Sequence, residues 1–307
     1  MYSDNRLPQW RSLLFVPATS DRFIESAVRQ LADALLIDLE DSVAPEQKEV
    51  ARTRVGDIAD RFKRYGYDVV VRVNRPWRLL VRDLEASVCQ SVNAVTLPKV
   101  PDVGHVRAVS EILSDLEAAA GMAIGLTRII AMVEDAEGLE NMARIATADQ
   151  RLCGIIVGAE DLAVSMRMAV DEDGLYVPNV LAVAAARRAG IIPIGFVGSV
   201  ADFADADAFR ARIRRARRLG FDAAFCIHPR QVAIVNEEFS PSMDEVHHAK
   251  LLIDEYERSR ENGKAAFRYK DRMVDLPVVE QARRVLAQNE VVKAMDRRHL
   301  SGRNKPA

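Results

Sequence analysis

Short apolar runs alternate with longer amphipathic stretches along most of the chain. The runs are SLLFVPA (12–18), ALLIDLE (34–40), DVVVRVN (68–74) and AVTLPK (94–99), then RIIAMVE (128–134), CGIIVGAED (153–161), IIPIGFV (191–197) and DAAFCIHP (222–229). Each is almost continuously apolar and rich in β-branched residues. That is the pattern of parallel strands covered on both faces, not of strands with one wet side. Between them, segments such as 21–31, 45–65, 81–92, 106–120 and 206–220 repeat their apolar residues at helical spacing. Eight strand–helix units in succession predict a (β/α)₈ TIM barrel, which needs about 250 residues. We assign it to residues 1–239. The remainder, 240–307, reads as a C-terminal helical extension that serves as a lid or an oligomer contact. An open doubly wound sheet is the competing architecture. No Gly-x-Gly-x-x-Gly follows the first strand and no Walker A sequence occurs, so nothing favours it.

Composition narrows the class further. The 307 residues are 49% hydrophobic and 29% charged, with 43 Lys+Arg against 45 Asp+Glu. A net charge of −2 gives no reason to expect nucleic acid or an anionic membrane as partner. No apolar stretch reaches the ~18 residues that span a bilayer. The first residues have no apolar core of a signal peptide. Cys89, Cys153 and Cys226 are odd in number and lack metal-ligand spacing, so we expect free thiols in a cytoplasmic protein.

The chemistry sits at the strand ends, because TIM barrels build their sites from the C-terminal ends of the strands. Here those ends read Asp38-Leu39-Glu40-Asp41, Arg72-Val73-Asn74-Arg75, Pro98-Lys99, Glu134-Asp135, Gly158-Ala159-Glu160-Asp161 and His228-Pro229. Charges of both signs would converge on one mouth. Buried charge is costly unless it is paired or bound to a metal. Several carboxylates without accompanying histidines make an oxygen-ligand site suited to Mg²⁺, or Mn²⁺, rather than Zn²⁺. Glu134 and Asp161, closing adjacent strands, are the expected metal ligands. Gly158, Ala159 and Glu160 are expected to line the substrate. Arg75 is expected to face the metal and stabilise an enolate or carboxylate oxygen, with a salt bridge to Glu40 or Asp41 as its alternative use. His105, His247 and His248 read as surface residues. The arginines of 210–218 read as the solvated face of a helix whose apolar face carries Phe209, Ile213, Ala216 and Leu219.

In this order, the segments Arg11–Pro17, DLEDSVAPxxKxxAR (38–52), VRVNR (71–75), LPKV (97–100), VEDAEGL (133–139) and GAEDLA (158–163) resemble the citrate lyase beta-subunit-like family, whose relatives include malyl-CoA and citramalyl-CoA lyases. The late segment GKAAFRYKDRMVDLPVVEQARRVLA (263–287) resembles that family's C-terminal signature. The resemblance implies a TIM barrel assembled as a homotrimer or a dimer of trimers. It implies Mg²⁺ at Glu134 and Asp161, and Arg75 on the thioester enolate. Glu40 and Asp41 would hold metal-bound waters or Arg75. Asp275, from a neighbouring subunit, would complete the site as acid/base. The implied reaction is reversible cleavage of a 3-hydroxy-acyl-CoA (malyl-, citramalyl- or citryl-CoA-like) into a 2-oxoacid and an acyl-CoA. Two alternatives stand beside it: a metal-dependent 2-oxoacid aldolase without a thioester, and a non-catalytic oxoacid-binding subunit of a complex. The chain departs from the family's pattern in three places. Ala223-Ala224 replaces a Gly-Lys pair, Gly195 stands near an absent Asp after strand 7, and Asp135 occupies a usual Thr position. These departures imply a changed strand 7–8 side of the mouth and an added charge beside a metal ligand.

Overall fold

The computed structural model describes residues 7–261, 267–269 and 272–303. Eight parallel strands form the barrel: β1 (Ser12–Pro17), β2 (Ala34–Asp38), β3 (Asp68–Arg72), β4 (Ala94–Leu97), β5 (Arg128–Val133), β6 (Leu152–Val157), β7 (Ile192–Ile194) and β8 (Ala224–Cys226). Each strand pairs in parallel with the next from β1 to β7, and β1 pairs with β8. Closure between β7 and β8 is thin. It rests on an isolated bridge, Ile194 to Ala223, with Gly195 N–H donating to the Ala223 carbonyl at 2.8 Å.

Alternate residues of every strand point to opposite faces. Val69, Val71 and Val73 join the large outer core between strands and helices, together with Leu35, Ile37, Val95 and Ala131. Leu13, Leu36, Val70, Ala94, Ile130 and Phe225 fill the barrel interior. Both faces are therefore apolar, which explains the unbroken hydrophobic runs. The floor of the barrel is capped by Trp10, whose indole N–H donates to Asp68 Oδ2 at 2.9 Å. Beside it, the buried Arg11 guanidinium makes two bonds of 2.9 Å to Asp33.

Among the described residues no helix is long and apolar enough to cross a membrane. Cys153 and Cys226 are buried free thiols and Cys89 is partly buried. Burial pushes Cys153 up to about 12, so it behaves as a small core residue.

The chain divides into two compact units, one built on Met1–Phe239 and one on Ser240–Ser301. The second contains the helix Met243–Glu261, the helix Leu276–Arg303 and a small antiparallel pair, Phe267–Tyr269 with Arg272–Val274. Its core comprises Ala249, Leu252, Tyr256, Val274, Val279 and Ala282. The antiparallel pair is not visible in the helical periodicity of the sequence. Part of the late signature segment, 263–266 with 270 and 271, lies outside the described residues.

Candidate active site

The C-terminal ends of the strands open on a cavity of about 750 Å³. Its wall includes the charged residues Asp38, Asp41, Arg72, Glu134, Glu160 and Asp161 with Gly158 and Ala159, and from β1 and the end of β8 Phe15, Phe225, Ile227, His228 and Pro229.

Glu134 is the next inward-facing residue after Ile130 and Met132 on β5. It is 4% exposed, and its Oε2 accepts the Lys99 backbone N–H at 2.7 Å. A side chain at Gly158 would overlap the Glu134 carboxylate, so glycine is required there for the two strand ends to approach. Gly158 is the N-cap of the helix Ala159–Met166, which carries Glu160 and Asp161 in its first turn. The positive end of that helix favours their charge. Burial, followed by the charge of Glu40, raises Glu134 to about 7. Glu40 is likewise raised to about 7, first by burial, against the opposing pull of Arg72.

Lys99 links these groups. Its backbone is left-handed, with φ +51° in a residue that is not glycine. In that conformation its N–H reaches Glu134, while its Nζ lies 3.4 Å from Asp161 Oδ1 and 3.7 Å from Glu40 Oε1. The sequence places Lys99 at a strand end but gives no sign of this hub, because the contacts depend on the backbone turn.

Arg72 and Arg75 divide the roles differently from expectation. Arg72, two residues after inward-facing Val70, lines the cavity. It binds Asp38 through Nε at 2.7 Å and Nη2 at 2.8 Å, and its Nη1 lies 2.9 Å from Glu40 and 3.3 Å from Asp41. Its guanidinium also stacks 4.7 Å from the Phe15 ring centre. Burial lowers its proton affinity, but the Asp38 bonds outweigh that, and it stays charged. The ion pairs to Glu40 and Asp41 expected of Arg75 thus belong to Arg72. Arg75 is half-buried, is absent from the cavity wall, and donates through Nε to the Lys99 carbonyl at 3.0 Å. Strand parity was the missing signal: residue 72 shares the face of residue 70, and residue 75 does not.

The loop after β2 is pinned by Asp38, which accepts from Glu40 N–H at 3.0 Å and Ser42 N–H at 3.2 Å. Lys48 Nζ donates to the carbonyls of Leu39 and Glu40 at 2.9 and 2.6 Å. The motif DLEDSVAPxxK is therefore one local hydrogen-bonded unit.

Asp135 stands beside Glu134 as a helix cap, its Oδ1 accepting the Gly138 N–H at 2.7 Å at the start of the helix Ala136–Ile145. Two further expectations change. Ala223 and Ala224 are fully buried in the barrel wall, Ala223 inward and Ala224 in the outer core, and neither lines the cavity. His105 is not a surface residue. It is 6% exposed against Trp77, and burial, then Arg75, lowers it to about 4. His247 and His248 are exposed. The arginine-rich helix does face outward, with Arg210 and Arg214 paired to Glu238 and Arg215 paired to Glu172. Asp275 is exposed within its own unit.

Among the described residues no group of three or more His, Cys, Asp or Glu side chains is arranged as a ready-made metal cage. The donors present nevertheless suit a hard divalent cation. Mg²⁺ needs only one or two protein carboxylates and takes the rest of its shell from water and ligand. Glu134 feels the negative charge of both Glu40 and Asp161, and Lys99 already places one positive charge among them.

A cavity bearing carboxylates at the C-terminal ends of a parallel barrel's strands is where enzymes of this fold build their active sites. Residues 11–229 match the HpcH/HpaI aldolase/citrate lyase family, and the chain belongs to it. The chain is 31% identical over 280 residues to the citrate lyase beta subunit of Leuconostoc mesenteroides subsp. cremoris, covering 90% of this chain and 92% of that one. It is 31% identical over 306 residues to the L-malyl-CoA/beta-methylmalyl-CoA lyase of Rhodobacter capsulatus, covering 92% and 95%. Among solved structures it resembles protein CitE of Mycobacterium tuberculosis in complex with magnesium, acetoacetate and coenzyme A. That match has a TM-score of 0.71 and 29% identity, and covers 93% of this chain and 99% of that one.

Proposed function

We propose that the protein is a divalent-metal-dependent carbon–carbon lyase. It reversibly cleaves a 3-hydroxy-acyl-CoA of the malyl, citramalyl or citryl type into a 2-oxoacid and an acyl-CoA. The observation that carries this reading is that Arg72, Glu134 and Asp161 line the same cavity, with Glu40 paired to Arg72 behind it. The lyase names of the relatives, and the magnesium and coenzyme A of the similar structure, support it.

In this reading Glu134 and Asp161 would hold Mg²⁺, which would supply a Lewis acid to the oxoacid half. Gly158, Ala159 and Glu160 border that half through the helix N-terminus. Asp275 of a neighbouring copy, the acid/base of this reading, takes the hydroxyl proton; carbonyl formation follows, and the breaking C–C pair passes to the thioester as an enolate. Arg72, fixed by Asp38 and Glu40, stabilises the enolate oxygen; we give it the role first expected of Arg75. Arg75 holds the Lys99 backbone, and Lys99 balances the carboxylates. Asp275 of a neighbouring copy returns a proton to the enolate carbon. Its exposure fits a residue that serves another chain. The acyl-thioester half lies along the apolar flank of Phe15, Phe225, Ile227 and Pro229.

The test is a release assay with Mg²⁺ and malyl-, methylmalyl-, citramalyl- and citryl-CoA, quantifying oxoacid and acyl-CoA together. Cleavage of one or more, abolished in Glu134→Gln, is the expected result. If all four stay intact while an oxoacid still binds with Mg²⁺, the thioester reading fails.

A further inference from the structure

Gln231 is the third residue of the helix Pro229–Phe239 and is 1% exposed. Its Oε1 accepts two backbone N–H groups, from Ile227 at 2.8 Å and His228 at 3.0 Å. Its Nε2 donates to the Val200 carbonyl at 2.9 Å. Val200, Ile227 and His228 all line the cavity. Gln231 itself does not.

Half of this arrangement is a helix cap. His228 stands at the N-cap and accepts the Arg230 N–H on Nδ1 at 3.1 Å, while residue 231 reaches back to the free N–H groups. Glutamine and glutamate perform that reach equally well. The other half is not a cap. The bond to Val200 spans 31 residues and ties the loop after β7 to the loop after β8. Those strands are three residues each and meet through an isolated bridge, so the ladder does little to fix the loops that follow them. A second tie joins the same loops: the Phe203 ring stacks on the His228 imidazole, with centroids 4.9 Å apart and planes within 15°. A buried side chain that accepts on one end and donates on the other is what the joint needs, and glutamine supplies both.

We propose that Gln231 is a positioning residue that sets the separation of the two rim loops and thereby the affinity for the substrate half lying away from the metal carboxylates. This rests on the lyase reading above. Gln231→Glu separates the cap from the bridge. The carboxylate still accepts from Ile227 and His228, but when ionised it donates nothing to Val200.

The experiment uses the full chain with Mg²⁺ and acetyl-CoA as the binding probe. Calorimetry measures both affinities, and the release assay gives kcat and KM. For Gln231→Glu we expect the Kd for acetyl-CoA and the thioester KM to rise about five- to tenfold, the effect of one lost buried hydrogen bond, with kcat changed less than about twofold. The Mg²⁺ affinity should not move. Gln231→Met, which loses cap and bridge together, should also lower the melting temperature. Phe203→Leu removes the second tie without touching the cap, and should raise KM in the same direction. If Gln231→Glu and Phe203→Leu both bind acetyl-CoA like the wild type, Gln231 is only a cap and the proposal is overturned. A parallel fall in Mg²⁺ affinity overturns it too, because the damage is then general. If the wild type neither binds acetyl-CoA nor cleaves any thioester, the lyase reading falls first and takes the rim assignment with it.

Discussion

Arg72 and Asp38 form a two-pronged ion pair, 2.7 and 2.8 Å, across the C-terminal ends of β3 and β2. Both groups are buried, so each depends on the other. Removing one partner of such a pair leaves a desolvated charge. Asp38→Asn should cost about 3 kcal/mol in urea unfolding. On turnover, Arg72→Lys should lower kcat by about two orders of magnitude, the size of a lost oxyanion donor. Arg75→Lys should lower it less than about tenfold, since it perturbs the Lys99 carbonyl and not the reacting atoms. Equal losses in the two variants would refute the division of roles between them.

Metal binding should release protons. Glu134 is raised to about 7, so below neutrality it holds a proton that a divalent cation must displace. Mg²⁺ affinity should climb as pH rises toward about 7 and level off above it. The sign for stability is opposite in the metal-free protein. A carboxylate raised on folding favours the folded state fully below its unfolded value of 4.5, and that contribution fades as pH rises through about 7. Calorimetry in buffers of different ionisation enthalpy measures the proton release directly. A pH-independent Mg²⁺ affinity between pH 5 and pH 7 would contradict it.

His105 contributes acid sensitivity of the other sign. Burial holds it neutral, with its value lowered from 6.5 to about 4. Its contribution is complete above 6.5 and is lost as pH falls from 6.5 through about 4. His105→Phe keeps a ring beside Trp77 and cannot take up a proton. The variant should lose less stability than the wild type across that window, as measured by urea midpoints at a series of pH values.

Gly158→Ala tests the close approach of β6 to Glu134. The added methyl meets the carboxylate and not the core, so the fold should persist. Mg²⁺ affinity should fall roughly 10- to 100-fold, the range seen when a ligand's support is disturbed. Unaltered binding would mean that Glu134 can move aside without loss.

The barrel was legible because each strand is apolar on both faces. The same property hid which polar residue faces the cavity. In DVVVRVN no alternation marks Val70 as inward and Val71 as outward, so Arg72 and Arg75 looked equivalent. Lys99 stood out as a strand-end charge, but its linking of three carboxylates did not, because those contacts arise from a left-handed backbone that residue type does not announce. His105 looked like a surface residue because its burial depends on Trp77, which lies 28 positions earlier. The departures at Ala223 and Ala224 looked like a remodelled mouth because register was unknown; the side chains stand in the wall below it.

The seam between β7 and β8 gives the barrel a mechanical asymmetry. The arc from β2 to β6 is stitched by ladders of three to five paired residues, with one register shift between β5 and β6, and carries the charged groups, whereas the seam that closes the ring hangs on an isolated bridge. Changes in loop length or side-chain bulk at the seam leave the stiff arc in place. On the proposed reading, the side that borders the acyl half can therefore change without rebuilding the carboxylate-bearing arc.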